Sequence, residues 1–278
     1  LGLLVMSVFF QEVSSWAADS VLAPGAVPKK LLDQGAGEGP VWHAQHGLLF
    51  SGDGNIHQLS LSGEFKVFRA GAGTNGLLFD GQGRLCACEH AARRVTRTER
   101  DGTVKVLADN YNGMKFNSPN DLTLDSKGRI YFSDPRYVGD EKRELDHESV
   151  YRIDADGAVT RVIKDVMKPN GLVISPDGKT LYVSDHASDP KGSRALVAYP
   201  LREDGSAGER KVLHDFGKER GIDGMTVSAD GTVVATAGKG KAAGVYFFSA
   251  EGKQLAFLPT PEDPTTAPVR PTGRHARI

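Results

Sequence analysis

The sequence predicts an all-β fold: a six-bladed β-propeller whose last blade is incomplete or altered at the C-terminus. Three observations carry that prediction. Turn-like glycines recur at Gly47, Gly83, Gly128, Gly178 and Gly231, at intervals of 36, 45, 50 and 53 residues. Around each glycine an alternating apolar run, a tight turn and a second apolar run follow one another, the pattern of a β-hairpin. The 33 glycines fall largely beside Asp, Asn and Lys, which favours many short strands over long helices. Strand-built repeats of roughly 40–50 residues indicate propeller blades. About six repeats of that length fit into 278 residues.

The copies read "HAQHGLLFSGD", "FDGQGRLCACE", "LDSKGRIYFSD", "SPDGKTLYVSD" and "SADGTVVATA". Eight residues before four of the turn glycines stand Asn75, Asn120, Asn170 and Asp223, and nine before Gly47 stands Glu38. If the strand before each turn lines the axis of the propeller, these five polar residues converge at one mouth of the channel. Asn and Asp before Gly also form ordinary turns. Two positions resist that reading, because Asp121 replaces glycine after Asn120 and Glu38 is a poor turn former.

A second set lies just past the turns. Asp53, Glu89 and Asp134 stand six residues after their glycines and Asp185 seven after Gly178, with His90 and His186 alongside. These residues should rim the same mouth, with loop ordering as the alternative role for each acid.

The inner set offers two carboxylates, three amide oxygens, no thiolate and no imidazole. Such a set favours one hard divalent cation, Ca²⁺ first, with Mg²⁺ or Zn²⁺ as alternatives. Too few ligands to fill a calcium shell leave room for water and a substrate oxygen, which suits Lewis-acid hydrolysis. There is no GxSxG elbow, Walker A loop, HExxH or GxGxxG ahead of a helix, so those chemistries lack support.

The motifs "GAGEGPVW", "ACEHAARRVTR", "SPNDLTLDSKGRIYFSDP", "KPNGLVISPDGKTLYVSD" and "GIDGMTVSADG" resemble the regucalcin/gluconolactonase/luciferin-regenerating enzyme family from about residue 30 to residue 261. The resemblance implies a six-bladed propeller with a divalent cation in its channel and hydrolysis of a small lactone, typically a sugar lactone. It places metal ligands at Glu38, Asn170 and Asp223, with Asp223 also a candidate general base. Asn120 and Asp121 fall beside metal and substrate, and Asn75, Glu89, His90 and Asp134 complete the candidate substrate-binding set. The arginine that regucalcin carries just before this asparagine is not matched, because Ser118 and Pro119 stand there. Alternatives to a lactonase are esterase or phosphotriesterase activity at the same cation, or a non-catalytic propeller that binds calcium or carbohydrate.

Composition bounds the partners. Thirty-four basic and 35 acidic residues give a formal charge of −1, with no electrostatic case for nucleic acid or an anionic membrane. Residues 1–18, with the apolar run "LGLLVMSVFF" before "WAADS", read as a secretory signal peptide, so export to the periplasm or the extracellular space is expected. Residues 19–29 then form a linker, 30–262 the lactonase propeller, and 263–278 an atypical tail rich in Pro and Arg in place of a sixth inner hairpin. Cys86 and Cys88 share one face of a strand and read as packed thiols.

Overall fold

The computed structural model describes residues 21–32, 37–189 and 191–265. Each glycine-centred repeat becomes a four-stranded antiparallel sheet with its strands in sequence order. Blade 1 holds β1 (Gly37–His43), β2 (Gly47–Gly52), β3 (Asn55–Leu59) and β4 (Phe65–Arg69). Blade 2 holds β5 (Leu77–Phe79), β6 (Leu85–Glu89), β7 (Arg94–Thr98) and β8 (Val104–Ala108). A short hairpin of β9 (Asn110–Tyr111) and β10 (Met114–Lys115) precedes blade 3. That blade is β11 (Leu122–Leu124), β12 (Ile130–Asp134), β13 (Ser149–Ile153) and β14 (Val159–Ile163). Blade 4 is β15 (Pro169–Ile174), β16 (Thr180–His186), β17 (Arg194–Pro200) and β18 (Lys211–Asp215). Blade 5 is β19 (Met225–Val227), β20 (Val233–Ala237), β21 (Gly244–Phe248) and β22 (Gln254–Pro259).

The described residues therefore form five blades, where the sequence predicts six. The difference has a plain origin: the count divided the full length by the repeat, but the repeat itself occurs five times. Residues 21–32 form no strand. The leader expected over 1–18 and the tail beyond Thr265 lie outside the described residues.

The first strands β1, β5, β11, β15 and β19 neighbour one another in turn, so they line the axis. One backbone device recurs between them. Gly76 N–H donates to Asn120 O at 2.7 Å, Gly171 N–H to Asp223 O at 2.7 Å and Gly224 N–H to Thr265 O at 2.8 Å. Each glycine follows an inner-set residue and touches the inner-set position of the next blade. A Cβ at Gly39 would fall 2.3 Å from Asn75 O, so the glycine of "EGP" is demanded by blade-to-blade approach, and its φ of +53° also favours glycine. Thr265 takes the sixth position of this series. Its hydroxyl donates to Gly37 O at 3.0 Å, linking the end of the described chain to blade 1.

Apolar packing lies between blades. Phe116 and Phe132 meet edge-on at 5.0 Å, and both lie within 6 Å of Tyr151 in the cluster shared by blades 2 and 3. Each such ring removed from water contributes about 1.5–3 kcal/mol. Cys86 and Cys88 are buried free thiols in that cluster, and burial pushes Cys86 up to about 12. Among the described residues no helix is long and apolar enough to cross a membrane.

Candidate active site

Each inner-set residue sits where its blade's first strand begins. Asn75 N–H donates to Cys88 O at 2.9 Å, Asn120 N–H to Ser133 O at 2.9 Å and Asp223 N–H to Thr236 O at 2.9 Å. Glu38 pairs with Ser51 in the same manner. In blades 1 and 4 the register slips just beyond this point, between Glu38 and Val41 and between Pro169 and Leu172. Bulges of this kind re-aim side chains at sites. The five positions are thereby brought to one end of the channel.

Their polar atoms show what they lack. Among the described residues the side chains of Glu38, Asn75 and Asn120 make no hydrogen bond or ion pair, although Asn120 is buried. Glu38 and Asn75 are half-buried, so their polar atoms face the channel mouth, open to water or to a ligand. Asp223 is engaged: Asn170 Nδ2 donates to its Oδ1 at 2.7 Å, and Arg220 Nη2 bonds Oδ2. Asn170 Nδ2 also donates to Tyr137 Oη at 3.1 Å, which leaves Asn170 Oδ1 as a free acceptor.

Desolvation raises the Glu38 carboxyl well above its usual range, and the charges of Asp223 and Asp121 push it further. Desolvation likewise raises Asp223, against the pull of Arg220. Burial lifts Asp121 to about 7. Three carboxyl groups thus repel one another in a channel wall, a setting that a divalent cation would relieve. No three His, Cys, Asp or Glu side chains among the described residues stand at ligand spacing. Glu38, Asn170 and Asp223 contain only two such groups, the third donor being an amide oxygen. The donor set is hard, partly unpartnered and electrostatically in need of positive charge, so it fits Ca²⁺ or Mg²⁺.

Asp121 has a structural share as well. Its Oδ1 accepts Leu122 N–H at 2.9 Å and its Oδ2 accepts Leu172 N–H of the next blade at 3.4 Å. The carboxylate thereby bridges blades 3 and 4 at the place where glycine stands after Asn75, Asn170 and Asp223.

The outer set meets a different environment. Glu89 receives Arg69 Nη2 at 2.7 Å, Arg94 Nε at 2.6 Å and Thr96 Oγ1 at 3.0 Å. Asp134 Oδ2 accepts Asn117 N–H at 2.8 Å, and burial lifts this acid to about 7. Asp185 accepts Met167 N–H at 2.9 Å and pairs with Arg210 at 3.0 Å. These three acids order the segments around their own strand ends and do not join the inner set. Asp53 stands exposed at a turn with φ +49°. His90 is half-buried, and desolvation lowers it.

Three residues that the repeat arithmetic did not find border the site. Tyr137 lies on the 135–148 loop, anchored where Ser118 Oγ donates to Pro135 O at 2.7 Å and accepts Tyr137 N–H at 3.1 Å. Lys168 Nζ stands 4.3 Å from the Tyr137 ring centre. Arg220, three residues before Asp223, also donates through Nη1 to Pro264 O at 2.7 Å. A connection longer than that of any other hairpin among the described blades was the available signal for Tyr137. Nothing periodic marks Lys168 or Arg220.

Comparison with known proteins agrees with this architecture. Residues 36–275 match the family model described as SMP-30/Gluconolactonase/LRE-like region. A gluconolactonase of Zymomonas mobilis is 30% identical over 251 residues, spanning 80% of this chain and 68% of the relative. The solved gluconolactonase of Xanthomonas campestris superposes with a TM-score of 0.76 at 34% identity, over 86% of this chain and 81% of that one. A calcium-binding regucalcin of Agrobacterium tumefaciens shares the fold, with a TM-score of 0.67 at 22% identity over 83% and 76% of the two chains. On its sequence match, its propeller and its relatives, the chain belongs to the SMP-30/gluconolactonase/LRE-like family.

Proposed function

We propose that this protein opens a sugar lactone of the gluconolactone type to its aldonic acid, using one divalent cation, Ca²⁺ first, held by Glu38, Asn170 and Asp223. The observation that carries the reading is the convergence of unpartnered Glu38 and Asn120 with Asn170 and Asp223 at one channel mouth. Family membership makes the chain a lactone-hydrolysing enzyme, in line with relatives named gluconolactonase, lactonohydrolase and pentonolactonase. When bound, the cation would polarise the lactone carbonyl as a Lewis acid. The chain's own residues supply the rest. Asn120 directs an unengaged amide toward substrate oxygens, and Tyr137 shields the mouth on the blade 3 side. Asp223 accepts the proton of the attacking water and returns it to the departing ring oxygen. Addition of water to the carbonyl carbon and expulsion of the ring oxygen as an alcohol give the hydroxy acid, which releases one proton at neutral pH.

That proton is the readout. With gluconolactone in a pH-stat, acid release above the spontaneous rate is expected, lost on EDTA treatment and restored by Ca²⁺. Catalysis that survives EDTA would remove the cation from the reading. No catalysis at all would favour a propeller that only binds calcium or carbohydrate.

Export is proposed on the apolar run at the start of the sequence. Mass spectrometry of the mature protein should give an N-terminus near Ala18 or Asp19, and a mature protein retaining "LGLLVM" would instead support a segment buried in the fold.

A further inference from the structure

Tyr137 reaches the channel mouth from blade 3 and is held there along its whole length. Ser118 Oγ accepts its N–H at 3.1 Å and donates to Pro135 O at 2.7 Å, which ties down the start of the 135–148 loop. Lys168 Nζ lies 4.3 Å from the centre of its ring, a cation–π seat supplied by blade 4. Its hydroxyl oxygen accepts Asn170 Nδ2 at 3.1 Å. Lys168 and Asn170 flank Pro169 at the entry to β15, so one short stretch of blade 4 grips both the ring and its tip. The side chain is exposed all the same, so burial of its ring does not account for so specific a placement.

The tip meets an amide whose orientation matters. A carboxylate only accepts hydrogen bonds, so the end of Asn170 that faces Asp223 Oδ1 at 2.7 Å is the nitrogen. Nδ2 carries two hydrogens, and Asp223 Oδ1 and Tyr137 Oη take one each. Both donors are spent, and Asn170 Oδ1 is left facing away from them as an acceptor. Turned the other way, the amide would present its N–H groups to a cation and repel it. Of the two acceptors that set this orientation, Asp223 is the less dependable once a cation is bound. Its charge is then divided among the cation, Arg220 and Asn170. The Tyr137 phenol is protonated at neutral pH, carries no charge for a cation to draw on, and keeps its hold.

We propose that Tyr137 is a positioning residue for the cation seat: by accepting from Nδ2 it keeps the Asn170 amide turned with Oδ1 toward the cation. This rests on the cation reading above and adds to it a residue that acts through a ligand rather than as one. Shielding of the mouth needs only the ring, whereas this role needs the hydroxyl. Tyr137→Phe separates the two, because it keeps the ring on Lys168 and removes one oxygen.

Calorimetric titration of the metal-stripped protein with Ca²⁺ reads the effect without turnover. Tyr137→Phe should bind Ca²⁺ about three- to tenfold more weakly than wild type, the worth of one neutral hydrogen bond. Its Tm should stay within about 2 °C of wild type, since the side chain is exposed. The loss should vanish in an Asn170→Asp background, because a carboxylate presents an oxygen whichever way it turns. With gluconolactone, Tyr137→Phe should be slow at limiting Ca²⁺ and recover most of the wild-type kcat at saturating Ca²⁺. A ring that acted only as a shield would show no such rescue. Equal Ca²⁺ affinity in wild type and Tyr137→Phe, or the same loss in the Asn170→Asp background, overturns this proposal and leaves the lactonase reading standing. No binding of Ca²⁺, Mg²⁺ or Zn²⁺ by wild type overturns the cation seat and the part of Tyr137 in it together.

Discussion

Two sets of polar residues occupy equivalent places in successive blades of this propeller, and they have opposite fates. The inner set opens the first strand of its blade; the outer acids close the second. Glu38, Asn75 and Asn120 present side chains with no protein partner among the described residues. Glu89 and Asp185 are held by arginines and a backbone N–H group, and Asp134 by Asn117 at Oδ2, while its buried Oδ1 has no partner among the described residues. Repetition alone therefore does not mark function. What separates the sets is what holds the polar group: the outer acids bond backbone N–H groups and arginines around their own strand ends, whereas the side chains of Glu38, Asn75 and Asn120 bond nothing among the described residues and Asn170 bonds Asp223 within the set.

That contrast can be broken by exchanging losses between the sets. Asp223→Asn should give the largest effect, a fall of about 10²–10⁴-fold in kcat/KM on gluconolactone, because it removes both a base and a ligand charge. Its fold should survive, since the side chain keeps its size and most of its hydrogen bonding. Glu89→Ala should do the reverse. It strands Arg69 and Arg94 beside a nearly buried site and should cost roughly 2–4 kcal/mol in denaturant unfolding, with turnover per folded molecule near wild type. A Glu89→Ala protein that is stable but inactive would move Glu89 into the active site.

Within the inner set, Asn120→Ala should act between these extremes, raising KM or lowering kcat about tenfold with the cation still bound. Asn75→Ala should be the milder of the two, since no ligand role falls on it. Steady-state kinetics on both variants tests the order, and a larger loss at Asn75 would reverse it.

The outer set is sharpened by pH. Asp134 is lifted to about 7 by burial, with Glu148 adding to the rise and Arg93 opposing it. An unfolded Asp titrates near ~3.9, so the folded protein holds this proton more tightly. The resulting stability is full below about pH 4 and is lost as pH rises toward 7. Wild type should therefore lose several degrees of Tm between pH 5 and 8, and Asp134→Asn should flatten that decline by roughly 3 °C or more. An unchanged slope in Asp134→Asn would show that Asp134 ionises freely in the fold.

Much of this architecture is legible in the sequence, for identifiable reasons. The hairpins around Gly83, Gly128, Gly178 and Gly231 form where the repeat places them, because turn glycines and period-two alternation are local signals. The convergence of Glu38, Asn170 and Asp223 follows from the same repeat once the first strand faces the axis. The blade count was not legible, since chain length says nothing about which segments carry strands. Nor was the reason for the glycine that follows every inner residue but Asn120. It reads as a turn former, but it admits the carbonyl of the next blade, a contact between residues such as Gly171 and Asp223 that are distant in sequence. Tyr137, Lys168 and Arg220 escaped for a related reason: each reaches the mouth from a loop or strand entry peculiar to its own blade.

The cation seat proposed for Glu38, Asn170 and Asp223 is open to calorimetric titration with Ca²⁺. Metal-stripped wild type should bind one Ca²⁺ per chain, and Asp223→Asn should bind it at least about tenfold more weakly, since a hard cation depends on ligand charge. Equal affinity in the two proteins would remove Asp223 from the ligand set, and no Ca²⁺, Mg²⁺ or Zn²⁺ binding by wild type would leave the channel mouth without a cation seat.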